Sequence, residues 1–185
     1  MKVDPIRELK DIKSIKKLLS NNPRDLLLFV MGINAGLRTQ DLLGLRISDV
    51  KSIKIGQSIS LTEKKTGKSN SLLINKEIKE ALDTYLKSDK HRDNHFLFKS
   101  RKGSNYPLTT FAVTKYVKQW ASAINLMGSY GAHTLRKTWC YHQRKTFGVS
   151  WELIALRCNH SSPSITRAYL GILPEEVNDI LKHNI

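Results

Sequence analysis

The sequence predicts a mainly α-helical domain that carries a small antiparallel β-sheet. Apolar residues recur at helical spacing through most of the chain, as they do at Val113, Tyr116, Val117 and Trp120. Between Ile53 and Ile74 the apolar period changes to two, around a polar turn at Thr66-Gly67. With 185 residues, of which 40% are hydrophobic, the chain can bury one core, so we expect a single domain over residues 1–185.

Three helices are predicted in the first quarter of the chain. Asn22 followed by Pro23 is typical of an N-cap and a first helical residue, and Gly36 is typical of a helix end. Thr39 is predicted to cap a third, short helix. The predicted helices are Asp11–Ser20, a second from Pro23 through Ile33, and a third that contains Asp41, Leu42 and Leu45.

A β-hairpin follows, and its turn is basic. Its predicted strands contain Ile53, Ile55, Ile59 and Leu61 on the way out and Leu72 and Ile74 on the way back. After it we expect a helix at Glu77–Leu86, a short apolar segment at His95–Phe98 and a loop at Gly103–Pro107.

The rest of the chain predicts helices separated by short loops. Thr109 or Thr110 caps the first of them, which bears Val113, Tyr116, Val117 and Trp120, while Ser150 and Ser162-Pro163 mark two later starts. The other predicted ranges are Thr134–Thr146, Trp151–Arg157, Pro163–Tyr169 and Glu175–Lys182. Trp120, Trp139 and Trp151 are interpreted as core residues and not as platforms for stacked bases.

The charge balance points to a polyanionic partner. Lys and Arg number 31 against 16 Asp and Glu, a formal net charge of +15 that repels itself unless an anion neutralises part of it. Nucleic acid is the obvious partner, although scattered lysines also occur on ordinary solvated surfaces.

Other classes of protein are disfavoured. The first twenty residues contain no uninterrupted apolar stretch of the kind a secretory signal requires, and the longest apolar run, Leu26–Ile33, is far shorter than the roughly 20 residues of a membrane span. Two cysteines, Cys140 and Cys158, are no disulfide framework and suit a reducing cytoplasm. Together with His142 and His160 they could be drawn as a zinc site, but their C-x-H spacing differs from the usual C-x₂-C knuckle.

Several segments bear residues suited to phosphate chemistry, although each has an ordinary structural explanation when taken alone. Arg38 lies at a junction between two predicted helices, with Asp41 three residues on to hold its guanidinium. His133 and Arg136 share a helix face while Leu135 turns inward. Tyr169 follows His160 by nine residues.

Taken in order, these segments resemble the tyrosine recombinase (phage integrase) family. The matching text is A-G-L-R-T-Q-D-L-L-G-L-R-I-S-D-V around Arg38, E-K-K-T-G-K around Lys65, H-T-L-R for His133 and Arg136, and N-H-S-S-P-S-I-T-R-A-Y for His160 and Tyr169. The likeness covers nearly the whole chain and implies the tyrosine recombinase catalytic-domain fold.

The resemblance implies a site-specific DNA recombinase or integrase of a phage or mobile element. In this family a tyrosine attacks the scissile phosphate and forms a 3′-phosphotyrosyl link, and the expected nucleophile here is Tyr169.

The other site residues would bind the phosphate or transfer protons. Arg38 and Arg136 are suited to hydrogen-bond the non-bridging oxygens of the phosphate, and His133 is the expected base. A hairpin lysine supplies a proton to the leaving 5′-oxygen; Lys65 matches best, with Lys64 and Lys68 as rivals. His160 would hydrogen-bond the phosphate.

The implied partner is double-stranded DNA, bound by a dimer or tetramer of the chain, with accessory DNA-binding proteins possible and no cofactor, metal or membrane. Lys64, Lys68, Lys137 and Arg167 are the further residues expected to contact DNA. We expect a cytoplasmic, nucleoid-associated protein of bacterial or phage origin.

The C-terminal segment has Val177, Ile180 and Leu181 at helical spacing. It could dock on a neighbouring subunit or pack on its own core.

Two features depart from the family pattern. Members usually carry an N-terminal core-binding domain, and here only a short segment precedes the Leu26 helix, so we expect weak, strongly salt-dependent DNA binding by a fragment or a minimal protein. Cys158-Asn159 stands where Leu-Gly is common, although Asn also tolerates left-handed backbone angles. A resolvase, a type IB topoisomerase-like relaxer and a non-cleaving DNA-binding remnant remain alternatives.

Overall fold

The computed structural model describes residues 3–88, 91–171 and 181–182. The chain divides into two compact units, Met1–Trp139 and Cys140–Ile185. Within the described residues, nine helices accompany one two-stranded antiparallel sheet. The predicted class, mainly α with a small antiparallel sheet, is therefore confirmed.

The first unit begins with helices α1 (Leu9–Leu18), α2 (Pro23–Ala35), α3 (Thr39–Leu42) and α4 (Ile47–Val50). The predicted start of α2 is confirmed, because the Asn22 side chain accepts a hydrogen bond from the backbone N–H of Asp25. Gly36 ends α2 with a φ of 64°, the left-handed conformation that favours glycine. Helix α1 begins two residues before its predicted start at Asp11.

The expectations about the third helix are wrong at both of its ends, because α3 stops at Leu42 and leaves Leu45 outside it. Thr39 is the first residue of α3 and not its cap, and its Oγ1 instead donates to the backbone carbonyl of Ala132 over 2.9 Å. Helix α4 was not expected; it begins where the Asp49 carboxylate accepts the backbone N–H of Arg46 over 2.7 Å.

The hairpin consists of β1 (Ser58–Thr62) and β2 (Ser69–Leu73), paired antiparallel with Ile59 opposite Leu72. Its turn contains the predicted Thr66-Gly67 step. The expected outward strand begins too early, since Ile53 and Ile55 lie before β1. The backbone N–H of Ile53 closes a turn on the carbonyl of Val50 at the end of α4, so it cannot join the sheet.

The remaining helices are α5 (Lys76–Ser88), α6 (Thr110–Ala123), α7 (Ala132–Lys145), α8 (Trp151–Arg157) and α9 (Pro163–Leu170). Thr109 is the cap of α6, since its Oγ1 accepts the backbone N–H of Ala112. Ser150 and Ser162 cap α8 and α9 in the same way, as predicted. Leu97 and Phe98 of the short apolar segment are fully buried.

The core of the first unit forms around α2, which is buried on most of its sides; its fully buried residues include Leu27, Leu28 and Phe29. The Phe29 ring meets Trp120 edge to face, with ring centroids 5.9 Å apart, so the core interpretation of Trp120 is confirmed. Trp139 is half-buried against Gly36, while Trp151 is 9% exposed.

In the second unit, α8 packs against α9. Its buried residues include Ile154, Cys158 and Leu170. The predicted helix Glu175–Lys182, with Val177 and Ile180, lies outside the described residues except for Leu181 and Lys182. None of the helices in the described part of the chain has the length and apolar content of a membrane span.

Candidate active site

A cavity of about 510 Å³ in the first unit brings together three of the expected site residues. Arg38, Lys65 and His133 come from the α2–α3 junction, the hairpin turn and the first turn of α7. The other residues of the wall are Thr39, Gln40, Thr110, Phe111, Thr114 and Ala132. Phe111 is 69% exposed, so the cavity has an aromatic side chain at the surface.

Arg38 is held by a carboxylate that the sequence reasoning missed. Its Nη1 lies 2.5 Å from Oε2 of Glu63, the residue that follows β1, and the Glu63 side chain is fully buried. The ion pair that we expected between Arg38 and Asp41 is thus made by Glu63. The signal for Glu63 was present in the sequence, because Ile59, Leu61 and Glu63 alternate along one face of a strand and its extension.

The Glu63 carboxylate is also hydrogen-bonded within the hairpin. It accepts one hydrogen bond from the Thr66 hydroxyl over 2.6 Å and another from the Asn70 side-chain amide over 2.9 Å. Burial alone would raise its pKa, but these two hydrogen bonds and the Arg38 guanidinium lower the pKa of Glu63 to about 2. Glu63 is therefore ionised at every pH at which the protein is expected to work.

Asp41 supports the hairpin in a different way from the one expected. It is buried, and its Oδ1 accepts the backbone N–H of Lys64 over 3.0 Å, which connects α3 to the hairpin turn. Burial and the nearby Glu63 charge raise the pKa of Asp41, against the opposing effects of the Lys64 hydrogen bond and of the Arg38 and Arg136 charges. Two carboxylates and two guanidinium groups therefore influence one another in this part of the first unit.

The three hairpin lysines have different surroundings. Lys64, Lys65 and Lys68 are all exposed, and Lys65 is the one that lines the cavity with Arg38 and His133. The Lys64 side chain instead passes Gly44, where a built Cβ would lie 3.6 Å from Lys64 Nζ. This placement favours Lys65 over Lys64 as the lysine that faces a ligand in the cavity.

Helix α7 presents the H-T-L-R segment as expected from helical spacing. Leu135 turns into the core with 1% exposure, while His133 is exposed and Arg136 and Lys137 are buried. The contact of Lys137 with DNA is thus less favoured than that of the hairpin lysines, because its side chain is not on an open surface.

The pKa of His133 is lowered by its surroundings. The cause is partial desolvation, followed by the charges of Arg136, Lys65 and Arg38. Its imidazole is therefore neutral near pH 7, as a general base must be.

Gly32 in α2 and Gly36 at its C-cap allow α7 to come close. A Cβ built on Gly32 would lie 2.6 Å from Cδ1 of Leu135, and one built on Gly36 would lie 2.8 Å from Cε3 of Trp139. Both distances are below any normal contact between carbon atoms. The missing side chains thus permit the approach of α7, which carries His133, to the end of α2 next to Arg38.

In the second unit, His160 and Tyr169 are neighbours. Their ring centroids lie 5.5 Å apart at an interplanar angle of 69°. Nδ1 of His160 lies 2.8 Å from Oγ1 of Thr166, which is fully buried on α9. Thr166 is a second residue that the sequence reasoning missed; it lies one turn before Tyr169 on the predicted helix, the only local signal that it offered.

Other residues of the second unit were also singled out from the sequence. Asn159, which stands where Gly is common in the family, adopts a φ of 49°, a left-handed conformation that Asn tolerates. Arg167 is exposed, with its guanidinium carbon 5.9 Å from the centroid of the Trp151 ring. The sulfur atoms of Cys140 and Cys158 are 3.5 Å apart in a buried position. Among the described residues no three His, Cys, Asp or Glu side chains are grouped in a way that could hold a metal ion.

The model of the phage integrase family matches residues 6–176 of this chain. The chain belongs to the phage integrase family. A member from Bacillus subtilis (strain 168), a probable integrase/recombinase called YoeC, is 39% identical over 172 residues, which are 92% of this chain and 90% of that protein. The tyrosine recombinase XerA of Pyrococcus horikoshii is 25% identical over 170 residues, 91% of this chain. This chain spans 58% of the length of XerA.

Solved structures of family members have the same fold. The post-cleavage complex of the XerH recombinase with its palindromic difH substrate superposes with a TM-score of 0.76 at 22% identity, over 98% of this chain and 53% of that one. A lambda integrase dimer bound to a COC′ core site gives 0.67 at 20% identity, over 92% of this chain and 61% of that one. The tyrosine recombinase catalytic-domain fold expected from the motifs is therefore confirmed.

Proposed function

We propose that this chain is a site-specific DNA recombinase that cleaves and rejoins strands through a 3′-phosphotyrosyl intermediate, with Tyr169 as the nucleophile. The observation that carries the proposal is the common cavity of Arg38, Lys65 and His133. These residues lie far apart in the sequence, and together they supply a guanidinium, an ammonium and a neutral imidazole. Such groups can neutralise the charge and move the protons of a phosphodiester undergoing displacement.

In the proposed reaction, the phenolic oxygen of Tyr169 attacks the scissile phosphorus and the bond from phosphorus to the 5′-oxygen breaks. An ordinary phenol has a pKa near 10, so its ionisation at pH 7 costs about 4 kcal/mol without help. His133 accepts the phenolic proton, and Lys65 donates a proton to the departing 5′-oxygen. Arg38 and Arg136 bind the non-bridging oxygens, which gain charge in the transition state, and His160 hydrogen-bonds the same phosphate.

The covalent intermediate conserves a phosphodiester bond. A free 5′-hydroxyl can therefore attack the phosphotyrosine and reseal the strand with Tyr169 as the leaving group, in a step that balances without nucleotide hydrolysis. We propose that neither step requires ATP or a divalent metal ion, and that the partner strand comes from a second recombination site of a phage or other mobile element.

We further propose that the chain acts on DNA as a dimer or tetramer. The exposed apolar side chains of the second unit, Leu153 and Leu156 on α8 and Ile165 on α9, would receive the C-terminal segment of a second copy. Mass photometry on DNA should then show multimers for the wild type and monomers for Leu156→Asp. Multimers of unchanged size in that variant would reject this surface.

Trapping the adduct tests the chemistry. The chain is incubated in EDTA with nicked fragments of the DNA that flanks its own gene, and covalent complexes are isolated in detergent and mapped by mass spectrometry. We expect an adduct on Tyr169, lost in Tyr169→Phe with DNA binding retained and unaffected in the matched Tyr141→Phe. An adduct on Tyr130 or Tyr141 would falsify the assignment, and no adduct on any fragment would favour a DNA-binding remnant.

The fate of the DNA distinguishes the enzymes that share this chemistry. Joining of two fragments at the mapped position supports recombination, and the mapped sequence shows whether the site belongs to a mobile element. Relaxation of a supercoiled plasmid by a monomer, at sites without a common sequence, would instead support a type IB topoisomerase-like enzyme.

A further inference from the structure

Glu63 is a fully buried carboxylate that connects two parts of the candidate site. On one side its Oε2 pairs with Nη1 of Arg38. On the other side it accepts hydrogen bonds from Thr66, in the turn that contains Lys65, and from Asn70 on β2. The same residue thus contacts the guanidinium at the α2–α3 junction and the turn that presents Lys65.

The backbone of Glu63 strengthens this connection. Its N–H donates to the carbonyl of Lys68 over 2.9 Å, and its carbonyl accepts the N–H of Gly67 over 2.9 Å. Lys65 therefore lies in a turn closed at Glu63 by backbone and side-chain hydrogen bonds. A displacement of Glu63 would move the turn and Arg38 together.

We propose that Glu63 is a positioning residue, which fixes the Arg38 guanidinium relative to the Lys65 turn so that both meet one phosphate. This inference rests on the proposed function. Glu63 does not itself touch the DNA in this proposal, since an anion beside a phosphate is unfavourable and its side chain has no exposed surface. Its effect passes through Arg38 and the hairpin.

A positioning role has an unusual consequence for Glu63→Gln. Removing a negative charge next to Arg38 favours non-covalent binding of a polyanion. Losing the fixed guanidinium disfavours the transition state, where small misplacements are costly, so we expect adduct formation to slow about tenfold or more. Affinity and rate should therefore change in opposite directions, or affinity should stay constant while the rate falls.

The test compares the full chain with Glu63→Gln, Glu63→Asp and the matched control Glu80→Gln. Glu80 is an exposed carboxylate of the same unit, 3.9 Å from Lys76 and absent from the cavity lining, so its replacement gives the same change in net charge. Affinity is measured by fluorescence anisotropy on a 30-bp duplex of random sequence. Rates are measured as adduct formed on the flanking-DNA fragments.

A third readout needs no DNA. The Nε–Hε NMR signal of Arg38, assigned with Arg38→Lys, reports whether the guanidinium is fixed. We expect a sharp signal in the wild type and in Glu80→Gln, a broadened signal in Glu63→Gln, and partial recovery of signal and rate in Glu63→Asp, which keeps the charge on a shorter side chain. Should Glu63→Gln not fold, Glu63→Asp still tests the positioning role, because its shorter side chain should broaden the Arg38 signal and slow adduct formation relative to the wild type while affinity stays constant.

The outcomes separate this inference from the proposed function. If the wild type forms no adduct, the proposed function fails, and the Arg38 signal alone decides whether Glu63 fixes the guanidinium. If the wild type forms an adduct, the positioning role is overturned by an unchanged Arg38 signal, by an unchanged rate, or by affinity and rate that fall together with the unfolding temperature.

Discussion

Nδ1 of His160 lies 2.8 Å from Oγ1 of Thr166, three residues before Tyr169 in the sequence. Since Thr166 is fully buried, the hydrogen bond fixes one ring nitrogen of His160 in place and determines where the other nitrogen points. The orientation of a proposed phosphate ligand thus depends on the helix that carries the proposed nucleophile.

Thr166→Val should slow adduct formation about tenfold, because a valine has the same shape but cannot hydrogen-bond, and a lost hydrogen bond in a buried place costs about 1–3 kcal/mol. The single-turnover rate on the trapped fragment measures the effect. Thr166→Ser, which retains the hydroxyl, should stay within about threefold of the wild type. Equal rates for Val and Ser would show that the contact does not matter for the reaction.

Lys65→Met should slow cleavage by about 10²-fold or more, as expected for loss of a general acid, while Lys64→Met should have little effect. A substrate with sulfur in place of the 5′-bridging oxygen tests the role directly, because a thiolate leaves without a proton. It should restore the rate of Lys65→Met and leave that of an Arg38→Ala variant low. Rescue of Lys64→Met in place of Lys65→Met would exchange the two residues.

The rate of adduct formation should fall with decreasing pH, with an inflection below 6.5. Partial desolvation and the charges of Arg136, Lys65, Arg38 and Lys137 lower the pKa of His133, so it stays neutral and able to accept a proton until the pH is below its ordinary value.

Lys137→Met removes one of those charges and should move the inflection upward, and His133→Ala should remove it. Rates at pH 5 to 8 on one nicked fragment give the profile. An inflection above 6.5 in the wild type would contradict the proposed state of His133.

Acid should destabilise the first unit through Glu63. Its pKa of about 2 in the folded chain is below the ordinary 4.5, so its contribution is complete above pH 4.5 and is lost as the pH falls toward 2. The difference corresponds to on the order of 3 kcal/mol. Urea unfolding between pH 6 and 3 should therefore show a smaller loss in Glu63→Gln than in the wild type. A loss of the same size in both would mean that other carboxylates dominate.

The sequence predicted what depends on local chemistry. Helix caps are formed because each side chain accepts a hydrogen bond from the backbone N–H three residues later, which is a property of the neighbouring sequence; the capping residues are Asn22, Thr109, Ser150 and Ser162. Thr39 is a threonine like Thr109, but its hydroxyl donates to the carbonyl of Ala132, a residue that comes close only when the chain has folded.

The same distinction holds for the candidate site. The family motifs pointed to Arg38, Lys65 and His133, and the fold groups them around one cavity. Glu63 and Thr166 were not singled out from the sequence, yet each contacts a residue that was: Glu63 pairs with Arg38, and Thr166 hydrogen-bonds His160. Spacing in the sequence cannot show such partners, because the contacts form only after strands and helices have packed.

The close packing of Gly32 on Leu135 and of Gly36 on Trp139 makes the candidate site vulnerable at a distance. A single methyl group at position 32 would clash with Leu135 and push α7, which carries His133 and Arg136, away from α2, at whose end Arg38 lies. The proposed activity would thus be lost through a glycine whose nearest neighbour is a leucine side chain, and a screen restricted to polar residues would overlook it.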